Sequence, residues 1–126
     1  MSVQMTISIN GQLERTFDDI SWQSGMNVQQ AMESAYGTES GYAFAIQYFG
    51  ADLGYEAIMI DNVFQQAGTD AFLFWELSIN GNVSSTGIDE TRLNDGDAVE
   101  WNYTPYVAEI HDSTRYKRIR QIARRK

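Results

Sequence analysis

The chain of 126 residues contains no cysteine, one histidine and one proline. Without cysteine it cannot form disulfides, thiolate nucleophiles or zinc–sulfur sites. A single histidine, His111, excludes a histidine-rich metal site and any paired-histidine chemistry. No nucleophile elbow, phosphate loop or dinucleotide-binding motif is found either. The composition therefore favours a protein that is not an enzyme, and it predicts no catalytic residue.

Long apolar segments are also missing. The longest apolar run is Ala71–Trp75, far too short to cross a bilayer. The N-terminus lacks the basic start and the apolar run of a signal peptide. We therefore expect a cytoplasmic protein that does not bind membranes.

Basic residues are scarce in the first 114 positions, which contain only Arg15 and Arg92 but seventeen acidic residues. The net charge of this part of the chain is therefore −15. The overall net charge is −8, because seven basic residues follow position 114 and no acidic residue follows Asp112. An acidic body repels nucleic acid, so binding to nucleic acid is not expected. Three hypotheses remain for the basic tail: it packs on an acidic body, it binds an acidic partner, or it is a solvated end. The residues predicted to bind a partner, or to drive self-association, are Arg115, Lys117, Arg118, Arg120, Arg124 and Arg125.

The first third of the chain predicts a hairpin followed by a helix. Residues 3–9 alternate between apolar and polar, as in a half-buried strand, and Asn10-Gly11 is a strong two-residue turn motif. A second strand follows over residues 13–20. Apolar residues at helical spacing then predict a helix over Asn27–Tyr36, with Gly37 in the position of a C-terminal capping glycine.

The rest of the chain predicts more strands and a final helix. Residues 42–49, 54–60, 71–79 and 98–103 resemble strands; 71–79 is the most apolar and is predicted to be central, and 61–70 is predicted to be a loop. Asn80-Gly81 and Asn94-Asp95-Gly96 predict turns, and Pro105 marks a strand end. Residues 115–125 form a basic amphipathic helix pattern, with Asp112 as its expected N-cap.

This element order predicts an α+β fold. We expect a β-grasp-like arrangement, in which a mixed or antiparallel sheet of about five or more strands packs on one main helix. Residues 1–108 would form this domain, and residues 109–126 would add a basic C-terminal helix or tail.

Two segments carry a resemblance to a known family. Phe74–Asn82 contains a Trp, then Asn-Gly, and Leu93–Tyr103 reads LNDGDAVEWNY. Together they resemble the transcobalamin C-terminal-like family, domain of unknown function 4430, over about residues 3–104. The resemblance implies a β-grasp-like fold. In the eukaryotic cobalamin carriers a similar domain covers one face of cobalamin, so cobalamin is a possible ligand here, although no cofactor is otherwise predicted.

The aromatic residues offer a second candidate site. They could line an apolar pocket for a flat ligand, although Trp75 and Trp101 are more typical of core residues. The predicted ligand-binding residues are Tyr42, Phe44, Tyr48, Tyr55, Trp75 and Trp101.

Other polar residues are given structural interpretations. The acidic residues Asp89, Glu90, Asp95 and Asp97 lack calcium-site spacing, so no metal is predicted, and Asp97 is expected to tie the loop backbone. His111 is expected on the surface.

Three functions remain open. The favoured one is a small non-enzymatic binding or interaction module that docks a protein partner, or a second copy, through its basic tail. The alternatives are a small-molecule binding protein, for cobalamin or another flat ligand, and a small enzyme that uses carboxylate and tyrosine acid–base chemistry.

Overall fold

The computed structural model describes residues 1–67 and 71–124, which form a sheet-dominated α+β structure, as the sequence predicts. In chain order the elements are β1 (Ser2–Ile9), β2 (Gln12–Ser21), α1 (Val28–Ala35), β3 (Phe44–Tyr48), β4 (Tyr55–Ile60), β5 (Val63–Phe64), β6 (Gln66–Ala67), β7 (Phe72–Ile79), β8 (Asn82–Val83), β9 (Ala98–Pro105), α2 (Ala108–His111) and α3 (Tyr116–Arg124).

The N-terminal hairpin forms where the sequence predicts it. Asn10 and Gly11 have φ values of 52° and 79°, the left-handed conformation that a tight two-residue turn between twisted strands requires. The alternation in β1 buries Val3, Met5 and Ile7 on one face of the sheet. The turn and the alternation agree on one register, so the local sequence is sufficient to define this hairpin.

The main sheet has the strand order β2-β1-β9-β7-β6, with β8 paired to the far end of β7. The pairing of β1 with β9 is parallel, whereas the other pairs are antiparallel. The sheet is therefore mixed, and its middle position belongs to β9.

The prediction that residues 71–79 form the central strand is wrong. The apolar run there has a different cause, because both faces of β7 are covered. Trp75 and Leu77 face one core, and Phe72 and Phe74 face a second core on the opposite side.

A second sheet of three strands has the order β3-β4-β5. Asp61 and Asn62 connect β4 to β5 with φ values of 52° and 68°. The prediction of a loop over residues 61–70 is wrong in part, because β5 and β6 lie there; positions 68–70 are outside the described residues. Two-residue strands have too few positions to show a period, which explains the error.

Helix α1 begins at a capping box. The Asn27 side chain accepts a hydrogen bond from the Gln30 backbone N–H, and the Gln30 side chain accepts one from the Asn27 backbone N–H. The helix ends before Gly37, whose φ of 87° is that of a C-terminal capping glycine. The predicted helix is confirmed, one residue shorter at each end.

Two apolar cores lie on opposite sides of the main sheet. The first joins α1 to the inner faces of β1, β9 and β7, and includes Met32, Trp75 and Trp101. The second joins Phe72 and Phe74 of β7 to α3. Helices therefore cover the main sheet from both sides.

Gly87 allows the segment before β9 to approach the start of β4. A Cβ atom built on Gly87 would lie 2.7 Å from the Leu53 carbonyl oxygen and 2.9 Å from the Tyr55 backbone nitrogen. We expect Gly87→Ala to lower the free energy of unfolding by about 1–3 kcal/mol, because the backbone must move apart. Urea denaturation would measure this, with Ser85→Ala, an exposed neighbour, as the control. Equal midpoints for the two variants would contradict the prediction.

Candidate functional site

The basic helix α3 has two unlike faces. Tyr116, Ile119 and Ala123 are buried in the second core, where Tyr116 packs on Phe74 with ring centroids 4.7 Å apart. The Tyr116 hydroxyl also accepts a hydrogen bond of 2.7 Å from the Leu77 backbone N–H. The apolar stripe predicted from the sequence is therefore the surface that attaches α3 to the body.

Arg115, just before α3, lies inside the protein. Its Nη1 donates to Glu56 Oε1 at 3.0 Å, and its Nη2 donates to the Leu53 carbonyl. Both charged side chains are almost fully buried, and Glu56 Oε2 has no hydrogen-bond partner. Burial raises the pKa of Glu56 to about 8, although the adjacent Arg115 opposes this. Arg115 was predicted to bind a partner, but its guanidinium is buried and already paired with Glu56.

The outer face of α3 presents three exposed basic side chains, which we call the cationic face: Lys117, Arg118 and Arg124. Arg120 lies between the two faces, with its guanidinium 4.5 Å from the centre of the Tyr106 ring. The sixth predicted residue, Arg125, is outside the described residues.

Tyr106 and Asp112 are hydrogen-bonded to each other in the segment that leads into α3. The Tyr106 hydroxyl donates to Asp112 Oδ1 at 2.5 Å. Burial, together with the Asp112 carboxylate, raises the pKa of Tyr106 to about 12. The prediction that Asp112 is the N-cap of the final helix is wrong, because Asp112 follows α2 and α3 begins four residues later. Instead, the Thr114 hydroxyl accepts from the Tyr116 backbone N–H at 3.3 Å.

His111 is buried, so its predicted surface position is wrong. Its Nδ1 accepts from the Val107 backbone N–H at 2.9 Å, which leaves Nε2 to share a hydrogen bond of 2.6 Å with Glu76. Both ring nitrogens are therefore engaged within the protein, and neither is positioned to take a proton from a substrate. The pattern that could have revealed this is the polar residue Glu76 within an otherwise apolar strand.

The structure does not bring the six predicted aromatic residues into one pocket. Trp75 and Trp101 are fully buried in the first core, and Tyr42 is buried against Phe17. Burial also raises the pKa of Tyr42. Phe44 is partly buried against the same core, on β3. A different pair meets at the end of the second sheet, where the Tyr48 and Tyr55 rings lie 5.0 Å apart and Tyr48 is 53% exposed.

Two of these aromatic residues, Trp75 and Trp101, each border a cleft, although neither is exposed to solvent. A cleft of about 210 Å³ lies between the two sheets, and we call it the inter-sheet cleft; its lining residues are Ile7, Ile9, Glu14, Arg15, Ile60, Asp61, Val63 and Trp75. The Trp75 indole N–H donates to the Val63 carbonyl at 2.9 Å, which holds β5 over β7.

Arg15 organises the rim of the inter-sheet cleft. Its guanidinium pairs with Asp61 and with Glu39, each at 2.8 Å, and lies 5.9 Å from the centre of the Tyr42 ring. The hydrogen bond to Asp61 is the main cause that raises the pKa of Arg15. Arg15 was singled out in the sequence only as a rare basic residue of an acidic body.

Three acidic residues after β8 accept hydrogen bonds from backbone N–H groups. Asp97 accepts from the Asn94 backbone N–H at 2.8 Å, Asp89 accepts from that of Tyr55, and Asp95 from that of Ser2. The structural interpretation of Asp97 is thus confirmed. Within residues 1–67 and 71–124, no three histidine or acidic side chains cluster as a metal site would need.

The helices of the described ranges are short or polar, and none has the length and apolar character that crossing a bilayer demands.

Several solved structures are similar to this chain. Haptocorrin in complex with Cbi is similar over 85% of this chain, with a TM-score of 0.69 and 19% sequence identity. This chain spans only 25% of haptocorrin. A protein from Ruminococcus gnavus ATCC 29149, to which metal binding has been provisionally ascribed, is similar over 83% of this chain and 97% of its own, with a TM-score of 0.59 and 16% identity.

No curated protein matches the sequence. A family model does match, over residues 25–105, and its description is Domain of unknown function (DUF4430). The matched range begins before α1 and ends at the last residue of β9, so it includes both sheets except the N-terminal hairpin. The chain therefore belongs to the DUF4430 family, as the resemblance of its turn and tryptophan motifs predicts.

Proposed function

We propose that this protein is a non-enzymatic binding module that docks an acidic surface with the cationic face of α3. The observation that carries the proposal is the two-sided character of α3. One side is fixed in the second core, while Lys117 and Arg118 project from the other. A helix that is already packed on the rest of the protein loses less conformational entropy on binding than a disordered tail would.

In this proposal the two parts of the chain have separate roles. Residues 1–108 provide a β-grasp-like frame, and residues 109–126 provide the docking element. The engaged nitrogens of His111 support a role without catalysis. The occupied guanidinium of Arg115 removes that residue from the docking set and assigns it to the attachment of the helix.

Neutralising two exposed charges tests the proposal without disturbing the core. We expect Lys117→Gln/Arg118→Gln to weaken binding of a fluorescent octaglutamate peptide at least fivefold at low salt, as measured by anisotropy. Surface substitutions of this kind change stability by less than about 0.5 kcal/mol. The matched control is Gln12→Glu/Asn82→Asp, which makes the same change in net charge at exposed positions of other elements.

If both pairs of substitutions weaken binding equally, net charge alone is responsible and the docking face is refuted. Sedimentation velocity at low and high salt separates the two sources of acidic surface. Salt-sensitive dimers would identify the acidic body of a second copy, and a monomer at both salt concentrations would exclude a second copy as the docked surface.

A flat ligand is the second candidate function. It is favoured by the similarity to haptocorrin in complex with Cbi and by the exposed ring of Tyr48 beside Tyr55. Titration with a corrinoid should then shift its visible absorption spectrum, and Tyr48→Ala should weaken the shift. No shift at micromolar concentrations would exclude this candidate.

A further inference from the structure

The inter-sheet cleft is built like a small binding site. Its floor presents the partly buried side chains of Ile9 and Val63, and beneath them lie Ile7, Ile60 and Trp75, which are 0–1% exposed. The indole N–H already donates to Val63, so the floor offers no free polar group. An apolar cavity of about 150 Å³ is known to stay dry and to bind benzene. At about 210 Å³, this cleft has room for a ligand somewhat larger than benzene.

The mouth of the cleft is acidic. Glu14 is exposed there, whereas Arg15 is already paired with Asp61 and with Glu39. These four side chains carry one positive and three negative charges, so the rim favours a cation. The cleft is smaller than the 300–1,000 Å³ typical of drug-sized ligands, which excludes a ligand as large as a corrinoid.

The mouth is also held in an unusual backbone conformation. Asp61 and Asn62 are consecutive non-glycine residues with positive φ, and this costs free energy at each position. The Asp61 carboxylate connects this turn to Arg15 and to the Ala43 backbone N–H. The turn, β2 and β3 are thereby fixed around the opening, so the cleft is preformed rather than created by a ligand.

We propose that the inter-sheet cleft binds a small organic cation, an apolar group of about six to nine carbon atoms that ends in an ammonium. The apolar group would contact Ile9 and Val63, and the ammonium would remain at the mouth beside Glu14. This site is independent of the cationic face of α3, which takes the opposite charge.

Three probes of similar size and different charge test the proposal: phenethylamine, 2-phenylethanol and phenylacetate. Each is titrated into the intact protein while NMR follows the Trp75 indole N–H and the Val63 amide. We expect phenethylamine to shift both resonances with a millimolar or lower dissociation constant. The alcohol should bind at least threefold more weakly, and the anion more weakly still.

Two variants separate the apolar and the electrostatic contributions to binding of the ligand. Glu14→Gln changes an exposed side chain and should bring the affinities for the amine and the alcohol within a factor of two. Ile9→Phe should fill the cleft and abolish binding, with circular dichroism used to confirm folding. If Ile9→Phe does not fold, the Glu14→Gln result decides alone.

The proposal is overturned if the Trp75 and Val63 resonances do not move with 10 mM phenethylamine. Equal affinities for all three probes in the native protein would overturn it as well, as would shifts confined to Trp22 or Trp101. Phenylalaninamide, tested in parallel, distinguishes a peptide N-terminus from a free amine as the source of the cation. The octaglutamate experiment on the α3 variants does not affect any of these outcomes. Docking by the cationic face and cation binding in the inter-sheet cleft can therefore be refuted separately.

Discussion

Truncation after Thr114 is expected to unfold the protein rather than to release a soluble body. It removes Tyr116 and Ile119, each fully buried, and exposes the stacked rings of Phe72 and Phe74. Removing a buried aromatic costs about 3–5 kcal/mol, and removing a buried isoleucine about 2–5 kcal/mol. Their sum is comparable with the 5–15 kcal/mol that stabilises an ordinary domain.

Circular dichroism and a thermal scan of the truncated chain would measure this effect. Lys117→Ala/Arg118→Ala is the matched control, because it removes charge from the same helix and leaves the core intact; its melting temperature should stay close to that of the native chain. A truncated chain that melts cooperatively at the native temperature would contradict the role assigned to α3. Truncation is expected to unfold the protein and also removes the basic side chains of α3. Only point substitutions can therefore test docking by the cationic face.

The second large effect concerns Glu56 and pH. Its pKa is raised from an ordinary value of 4.5 to about 8 in the folded protein, mainly by burial. The folded state therefore binds more protons than the unfolded state between these two pH values, so stability falls as pH rises through this window. At 1.36 kcal/mol per pKa unit, this single group contributes a loss of up to about 5 kcal/mol.

Glu56→Gln should remove this contribution, because the amide keeps the shape and an acceptor for Arg115 but cannot ionise. We expect the difference in unfolding free energy between variant and native protein to change by several kcal/mol from pH 5 to pH 8, in favour of the variant. Urea denaturation across this range measures it. Glu90→Gln, at an exposed carboxylate, is the control. Parallel stability curves for Glu56→Gln and the native chain would refute the assignment.

The parts of the fold that the sequence predicts correctly are those determined by near neighbours. The turn at Asn10-Gly11, the helix that ends before Gly37 and the alternation of β9 each depend on contacts within a few residues or on one face of a strand. Local chemistry limits such elements to one conformation, so they can be inferred without knowing the rest of the chain.

The candidate sites were less predictable because they depend on distant pairs. Glu56 and Arg115 are 59 positions apart, and Glu76 and His111 are 35 apart. A charged residue within an apolar strand, such as Glu56, indicates that a partner is needed but not which one. The inter-sheet cleft is harder still to predict, since it exists only once β1, β4 and β7 come together. Among the residues that line it, the sequence predicts ligand binding for Trp75 alone.

The parallel pairing of β1 with β9 also determines when the protein can fold. Met5 lies beside Val99, so the middle of the main sheet joins two segments that are more than ninety residues apart in the chain. A ribosome that adds about 5–20 residues per second needs several seconds to produce the second segment after the first. During that interval β1 has only β2 as a neighbour in the main sheet, and its other edge is exposed. A nascent chain of this protein therefore offers an unpaired strand to chaperones, or to other unfinished copies, until β9 has been synthesised.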